Sequence, residues 1–250
     1  WSFMYRQFIE QLRRDYRVIV PDHIGCGLSD KPASYPYRLG QHMENVRSLI
    51  SRLGISRFHL IAHDWGGAIG MGIAGNEPER LLSAQLMNTA AFPDARIPKR
   101  IALCKTPLLG ALLVRGLNLF ARGALILGAR RRLPEEVARG YLFPYQRWRD
   151  RVGVHAFIKD IPMQPEHESY QQLVAIDQKL AKLVHVPIQL MWGMWDFCFD
   201  EHFLHRWMAR FPRARVVRMR DAGHYVHEDE SEACVRLSHL FLDRVHQRSS

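Results

Sequence analysis

The stretch that decides the fold is Arg57-Phe-His-Leu-Ile-Ala-His-Asp-Trp-Gly-Gly67. It begins as an apolar run typical of a buried strand, breaks sharply at His63-Asp64, and continues over 68–75 as a helix of small residues. Small residues on both sides of a central acid are what a strained turn between a strand and a helix requires, because the neighbouring backbone approaches closely there. The stretch therefore predicts that the Asp64 side chain projects above the carboxyl end of a strand.

The same alternation of helices and strands continues on both sides of this turn. Apolar residues at helical spacing over 3–12 are followed by a short apolar run, Tyr16–Pro21, which predicts a buried strand. Further strands are predicted over 82–88, 187–193 and 214–220, and further helices over 41–53, 200–211 and 229–246. Such alternation predicts a mostly parallel sheet flanked by helices, a fold that places reactive groups at the carboxyl ends of its strands.

One segment interrupts the alternation. Residues 91–160 carry 14 Lys and Arg against five Asp and Glu, whereas the rest of the chain has 21 against 20. We therefore expect a helical cap over 91–170, inserted into a core formed by 1–90 and 171–250. Its most apolar stretch, Leu108–Ala129, is interrupted by Arg115 and Arg122, so no uncharged run in it reaches the roughly 18–20 residues of a membrane span. This stretch is therefore predicted to be an amphipathic helix of the cap. The alternative is a helix that contacts a membrane surface.

The composition excludes several classes of protein. With 47% hydrophobic and 24% charged residues among 250, the chain is neither disordered nor collagen-like. None of its four cysteines forms a Cys-x-x-Cys pair, which argues against a zinc site and favours a reducing compartment, for which we expect the cytoplasm. The formal net charge of +10 is concentrated in the predicted cap, and no nucleic-acid-binding motif accompanies it, so we expect no nucleic-acid partner.

Three residues form the candidate catalytic set. A carboxylate nucleophile needs a partner that handles protons, and His224 lies in a glycine-containing loop between a strand and the last helix. Asp196 follows the strand 187–193, and the order Asp64, Asp196, His224 is that of nucleophile, acid and histidine. Taken alone, each has a structural alternative: a helix N-cap for Asp64, a turn residue for Asp196, and an ordinary surface or core histidine for His224.

Of three neighbouring residues, only Trp65 belongs to the candidate site. Asn88 ends the strand 82–88, but an amide does not hold an imidazolium by charge, so Asp196 is the better acid. Asp200 is predicted to cap the helix that follows it. The backbone N–H of Trp65 is predicted as one donor of an oxyanion hole, and its indole N–H as a group that stabilises a leaving oxygen; the alternative for its side chain is hydrophobic lining.

These motifs together resemble the α/β-hydrolase superfamily, in the aspartate-nucleophile branch of haloalkane dehalogenases and epoxide hydrolases. The motifs that carry this resemblance are the loop 21–32, the elbow 63–67, the acid motif 192–196 and the histidine motif 223–225. Within the branch, the chain is most similar to the β-lactone decarboxylases of bacterial long-chain olefin biosynthesis. That similarity lies in the loop 21–32, the opening residues 1–6 and the cap stretch 148–162.

The resemblance implies an activity and partners. The activity is decarboxylation of long-chain cis-β-lactones to internal cis-alkenes and CO₂ by Asp64, His224 and Asp196, with Trp65 beside them and without a cofactor or metal. The implied partners are other olefin-pathway enzymes, including the β-lactone synthetase. A His-Gly-Asn-Pro segment that supplies the second oxyanion donor is expected immediately before Trp1, so N-terminal strands are expected to be missing from this sequence.

Three alternatives remain open. A haloalkane dehalogenase would use the same carboxylate to form an alkyl ester that water then hydrolyses. An epoxide hydrolase would also need two cap tyrosines, for which Tyr141, Tyr145 and Tyr170 are available. An assembly module would dock an acidic partner or a membrane through the basic cap. For a long-chain substrate, the expected channel residues are Leu108, Leu109, Leu112, Leu113, Leu117, Phe120, Leu125 and Leu127, which alternatively pack the cap on the core.

Overall fold

The computed structural model describes residues 1–247, and their sheet has four parallel strands in the order β1-β2-β3-β4. The strands are β1 (Phe58–His63), β2 (Leu81–Met87), β3 (Ile188–Gly193) and β4 (Arg215–Met219). Each lies within a residue of its predicted bounds. Because all four run in the same direction, the residues that follow β1, β2, β3 and β4 meet at one edge of the sheet.

Residues 1–247 contain twelve α-helices, some of which cover the two faces of the sheet. They are α1 (Arg6–Leu12), α2 (Leu39–Arg52), α3 (Trp65–Asn76), α4 (Lys99–Cys104), α5 (Pro107–Ala111), α6 (Leu119–Leu127), α7 (Glu135–Leu142), α8 (Val152–Asp160), α9 (Glu168–Leu180), α10 (Glu201–Arg210), α11 (Val226–Asp229) and α12 (Ser231–Gln247). Helices α2, α3 and α9 pack together on one face, and α1 and α12 pack together on the other. The parallel sheet flanked by helices is confirmed.

Alternating strand residues fill the two layers of the core. Leu86 and Leu190 belong to the apolar cluster beneath α3 and α9, whereas Met87 and Met191 belong to the cluster beneath α1 and α12. Successive side chains of a strand point to opposite faces, so a strand buried on both faces is apolar at most positions. The central strands β2 and β3 are therefore mostly apolar in the sequence, and their polar residues Ser83, Gln85 and Gln189 are buried as well.

The run 16–21, predicted as a buried strand, is not one in the structure. Within the described residues it makes no ladder with β1, and its residues are half-buried or exposed. Val18 still packs against the apolar cluster that contains Met87. The prediction was wrong because an apolar run becomes a strand only when a neighbouring strand supplies hydrogen-bond partners, and a local pattern does not reveal that neighbour.

The apolar stretch Leu108–Ala129 is also not one helix. Helix α5 continues into a π-helical turn, Leu112–Gly116, and the chain then bends by 71° before α6. At the bend Asn118 adopts the left-handed conformation, with φ 55°, and donates a side-chain hydrogen bond to the Tyr145 carbonyl. Over residues 1–247 no single helix is long and apolar enough to cross a membrane. The two helical segments on either side of this bend, taken together, have the length and apolar composition of a membrane span.

Two element boundaries differ from those expected. The predicted limit between cap and core, after residue 170, falls inside α9, a helix that contacts α2 and α3. The predicted closing helix is divided at Glu230 into α11 and α12. Helices α4 to α8, which follow β2 and precede α9, form the part of the chain that lies between the two halves of the alternating pattern.

Candidate active site

Asp64 occupies a strained turn between β1 and α3. Its φ is 50° and its ψ is −127°, a region that side chains other than glycine rarely adopt. The Thr89 hydroxyl donates to the Asp64 carbonyl, and the Asp64 N–H donates to the Asn88 carbonyl at 3.2 Å. A Cβ at Gly67 would lie 2.0 Å from the Thr89 hydroxyl oxygen, so the turn requires glycine there. These contacts with the end of β2 hold the turn in shape.

The structure brings the three predicted catalytic side chains together. His224 Nδ1 lies 2.8 Å from Asp196 Oδ2, and His224 Nε2 lies 3.5 Å from Asp64 Oδ2. The Asp196 side chain is fully buried, whereas the Asp64 side chain is 41% exposed and faces a cavity. Although Asp64 precedes α3, its carboxylate makes no capping hydrogen bond within the described residues, which removes the helix-cap alternative.

The two carboxylates set the charge of the histidine. Burial by itself lowers the pKa of His224, but the charges and hydrogen bonds of Asp196 and Asp64 outweigh it and raise that pKa to about 10. For Asp64, burial favours the neutral acid, yet the hydrogen bond and positive charge of His224 keep its pKa below the ordinary value. At neutral pH the pair is therefore an imidazolium beside an ionised carboxylate.

Two buried histidines next to the site stay neutral. His63 Nε2 donates to the His224 carbonyl at 2.9 Å, and burial, followed by the charge on His224, lowers the pKa of His63 to about 4. Burial likewise lowers the pKa of His227, whose Nε2 lies 3.3 Å from the Tyr141 hydroxyl. His63 directly precedes Asp64 in the sequence, and that adjacency was the only signal of its contact with the histidine loop.

Asp229 fixes the loop that carries His224. Its buried carboxylate accepts hydrogen bonds from the backbone N–H groups of Arg130, Arg131 and Gly223 at 2.8–3.0 Å. It therefore ties the histidine loop to the segment that follows α6. The sequence analysis missed this residue, because an Asp within the acidic run 228–230 carries no local sign that its partners lie about a hundred residues away.

The strand-end residues set aside in the sequence have structural roles. Asn88 donates to the Gly193 carbonyl at 3.0 Å and accepts from the Gly193 N–H at 2.8 Å, so it joins the ends of β2 and β3. Asp200 accepts from the His202 N–H and caps α10, as predicted. Asp196 also accepts from the Cys198 N–H at 2.6 Å, which orients its carboxylate toward the histidine.

Trp65 and residues of α4, α6 and α8 line a large apolar cavity above Asp64. The cavity has a volume of about 700 Å³, within the usual range of ligand pockets. The Trp65 side chain forms part of its wall and packs edge-on against Phe157 of α8, with ring centroids 5.5 Å apart. The Trp65 N–H lies beside the Asp64 carboxylate and helps to lower its pKa. The cavity joins the sheet edge to the segment between α4 and α8.

The structure divides the leucines predicted to line a channel. Leu113, Phe120 and Leu127 do line the cavity, and Leu125 packs in a separate cap cluster. The other four are exposed to solvent and stand outside the cavity wall: Leu108, Leu109, Leu112 and Leu117. The prediction was wrong for these four, because successive residues of a helical segment point in different directions: these four point to solvent, whereas Leu113, next to Leu112, lines the cavity.

None of the three tyrosines available to the epoxide-hydrolase alternative lines the cavity. Tyr141 donates to Glu228, and Tyr145 accepts from the Gly27 N–H at 3.0 Å. Tyr170 lies in the first turn of α9. The tyrosines in the cavity wall are Tyr5 and Tyr225, which the sequence analysis did not single out. Among residues 1–247 no cluster of His, Cys, Asp and Glu has an arrangement that would hold a metal ion.

Comparison with known proteins agrees with this geometry. A cis-3-alkyl-4-alkyloxetan-2-one decarboxylase of Shewanella oneidensis is 39% identical over 97% of this chain and 79% of its own length. One of Xanthomonas campestris is 38% identical over 98% of this chain and 85% of its own length. A crystal structure of a putative ancestral haloalkane dehalogenase has a TM-score of 0.90 at 25% identity, covering 98% of this chain and 88% of that one.

The family comparison extends along most of the sequence. The sequence profile described as alpha/beta hydrolase fold matches residues 1–231, a range that includes Asp64, Asp196 and His224. This chain belongs to the alpha/beta hydrolase fold family.

Proposed function

We propose that this protein decarboxylates cis-β-lactones carrying two long alkyl chains to internal cis-alkenes and CO₂, with Asp64 as nucleophile. The observation that carries the proposal is the ionised Asp64 carboxylate, paired with His224, at the floor of an apolar cavity of about 700 Å³. The similarity, over 97% and 98% of this chain, to two enzymes named cis-3-alkyl-4-alkyloxetan-2-one decarboxylase supports the choice of substrate.

In the first step the Asp64 carboxylate attacks C4, the saturated ring carbon that bears the ring oxygen. The C4–O bond breaks, and the ring oxygen leaves with its electron pair as part of a free carboxylate. We propose that the indole N–H of Trp65, whose side chain lines the cavity that Asp64 faces, donates to that leaving oxygen. The product of this step is an ester between Asp64 and the opened β-hydroxy acid.

In the second step the bond from C3 to the new carboxylate breaks and CO₂ departs. Its electron pair forms the C3=C4 double bond while the ester C4–O bond breaks, which restores the Asp64 carboxylate. The imidazolium of His224, held by Asp196, favours this step because it stabilises the returning negative charge. Neither step takes up or releases a proton, and water is not consumed.

Attack at the lactone carbonyl explains the products less simply. It would leave the ring oxygen on C4, and that oxygen would have to return to the acyl carbon before CO₂ could depart. Attack at C4 also keeps both lactone oxygens together in the CO₂ that is released. An enzyme preparation whose Asp64 carboxylate carries ¹⁸O would therefore release unlabelled CO₂ in a single turnover.

The test of the activity is incubation with a long-chain cis-β-lactone and, separately, with a 1-haloalkane. We expect alkene, detected by gas chromatography, and a loss of about a hundredfold or more in Asp64→Asn. Asp200→Asn, which removes the same charge from an exposed helix cap, is the matched control and is expected to keep its activity. Halide release without alkene would favour the dehalogenase alternative, and absence of both products from folded protein would contradict both enzymes.

The organisation around this site follows from the same proposal. We propose that residues 91–170, chiefly α4 to α8, act as a cap that closes the apolar cavity over Asp64. We also propose a cytoplasmic location, supported by four cysteines that are all free thiols. Association with other enzymes of the same pathway, including the one that forms the β-lactone, would let an insoluble intermediate pass between sites, and co-purification of the two enzymes tests it.

A further inference from the structure

The cap presents an apolar surface to solvent. Eight exposed side chains on α4, α5, the turn after α5, and α6 form what we call the leucine surface: Leu103, Leu108, Leu109, Leu112, Leu117, Leu119, Ile126 and Leu127. The consecutive segments that carry them contact one another. Scattered exposed leucines are ordinary, but eight on neighbouring helical segments indicate an interaction surface.

The leucine surface is continuous with the cavity above Asp64. Leu103, Leu119 and Leu127 are exposed to solvent and are also part of the cavity wall. They therefore mark an opening through which an apolar molecule can pass from the leucine surface to the nucleophile. At Gly123, one turn beyond Leu119 and also in the wall, an added Cβ would meet nothing within 4 Å, so the opening has free space.

The charge around the leucine surface is positive. From residue 95 to residue 134 the sequence contains nine Lys and Arg and no Asp or Glu. Lys99 lies one helical turn before Leu103, and Arg122 lies between Leu119 and Ile126 on the same side of α6; both are exposed. Leucine together with unopposed basic residues is the composition of helices that lie in the interface of an anionic membrane.

We propose that the leucine surface binds an anionic lipid surface and that the cavity opens onto the bilayer there. This deepens the proposed function, since a lactone with two long alkyl chains and its alkene product both partition into lipid. A protein partner fits less well, because the energetically dominant residues of protein interfaces are enriched in Trp, Tyr and Arg, and Leu is under-represented among them. Apolar side chains insert at the headgroup level while the basic residues contact lipid phosphates.

The test is flotation of the full chain with vesicles of phosphatidylcholine alone or with about a third phosphatidylglycerol. We expect binding to the anionic vesicles that weakens as salt is added. Leu108→Ser with Leu112→Ser, at side chains 88% and 53% exposed and outside the cavity wall, is expected to weaken binding about tenfold or more. Lys99→Glu with Arg122→Glu is expected to reduce binding to the level seen with phosphatidylcholine.

Matched controls change the same residue types elsewhere on the surface. Leu240→Ser removes an exposed leucine from α12, and Arg213→Glu with Arg236→Glu changes the net charge as much as the cap pair does. Both controls are expected to bind like the wild type. Equal binding by the leucine variant and the wild type would overturn the proposal, as would failure of the wild type to bind anionic vesicles.

Enzyme assays separate this proposal from the proposed function. With a short-chain lactone in solution, the leucine variant is expected to form alkene at the wild-type rate. If the wild type binds vesicles but forms no alkene, the decarboxylase proposal is refuted and the lipid-binding proposal is supported. If it forms alkene but does not bind vesicles, the lipid-binding proposal is refuted and the decarboxylase proposal is supported. If the leucine variant keeps its vesicle binding but no longer binds the purified β-lactone-forming enzyme, the surface is a protein interface and the proposal is overturned.

Discussion

Replacing Asp196 by Asn tests whether the charge on His224 drives the reaction. The pKa of His224 is raised from 6.5 to about 10, which corresponds to about 5 kcal/mol of stabilisation of the imidazolium. Asp196 is fully buried, and its Oδ2 lies 2.8 Å from His224 Nδ1. Of the two carboxylates that raise the pKa of His224, Asp196 has the larger effect. Its loss is therefore expected to lower the pKa of His224 by about two units, a factor of about a hundred in the protonation equilibrium constant.

The expected result is a change in the pH dependence of alkene formation. In the wild type the imidazolium is present below the raised pKa, so activity persists through pH 8–9 and falls as the pH approaches about 10. In Asp196→Asn the fall moves to lower pH by about two units. At pH 7 the imidazolium still dominates, but the loss of the carboxylate that orients the imidazole lowers the rate by about tenfold or more. Initial rates measured between pH 6 and pH 10 by gas chromatography report both effects.

The control for this experiment is Asp200→Asn, the same chemical change four residues along the chain. Because Asp200 caps α10 and does not contact His224, this variant is expected to keep the wild-type pH profile. Circular dichroism establishes that both variants are folded. A profile in Asp196→Asn that matches the wild type would refute the argument that the imidazolium is held by this carboxylate and is needed for the second step.

Three further predictions concern stability, each measured by urea unfolding. Gly67→Ala would place a Cβ against Thr89, so we expect the free energy of unfolding to fall by roughly 1–3 kcal/mol. At Gly123 a Cβ meets open space, so Gly123→Ala is expected to raise the free energy of unfolding by up to about 1 kcal/mol. Equal changes in the two variants would contradict this reasoning. Asp229→Asn should lose roughly 1–3 kcal/mol, since it weakens a buried acceptor of three N–H groups, and an unchanged midpoint would show that the histidine loop does not depend on it. His63 has its pKa lowered to about 4, so the unfolded chain binds a proton that the folded one does not between pH 6.5 and 4; stability should fall by about 3 kcal/mol as the pH decreases through that range, and less in His63→Gln.

Much of the candidate site is local in the sequence. Asp64 directly follows β1, Asp196 lies three residues after the end of β3, and His224 lies five residues after the end of β4. Parallel strands bring such positions to one edge of the sheet, so their order along the chain is enough to predict that they meet. The structure places Asp64 and Asp196 on either side of His224, and their catalytic roles are the proposal that follows.

What the sequence determined by itself was therefore the period and order of the elements and the identity of the residues at their ends. Only the tertiary structure decided which apolar residues are buried, because the same leucine pattern serves a cavity wall, a cap interior or an exposed surface. Leu113 lines the cavity, whereas its neighbour Leu112, in the same helical turn, is exposed to solvent. Long-range partners such as those of Asp229 depend on which distant segments meet, and so does strand pairing: among residues 1–247 no strand pairs with 16–21.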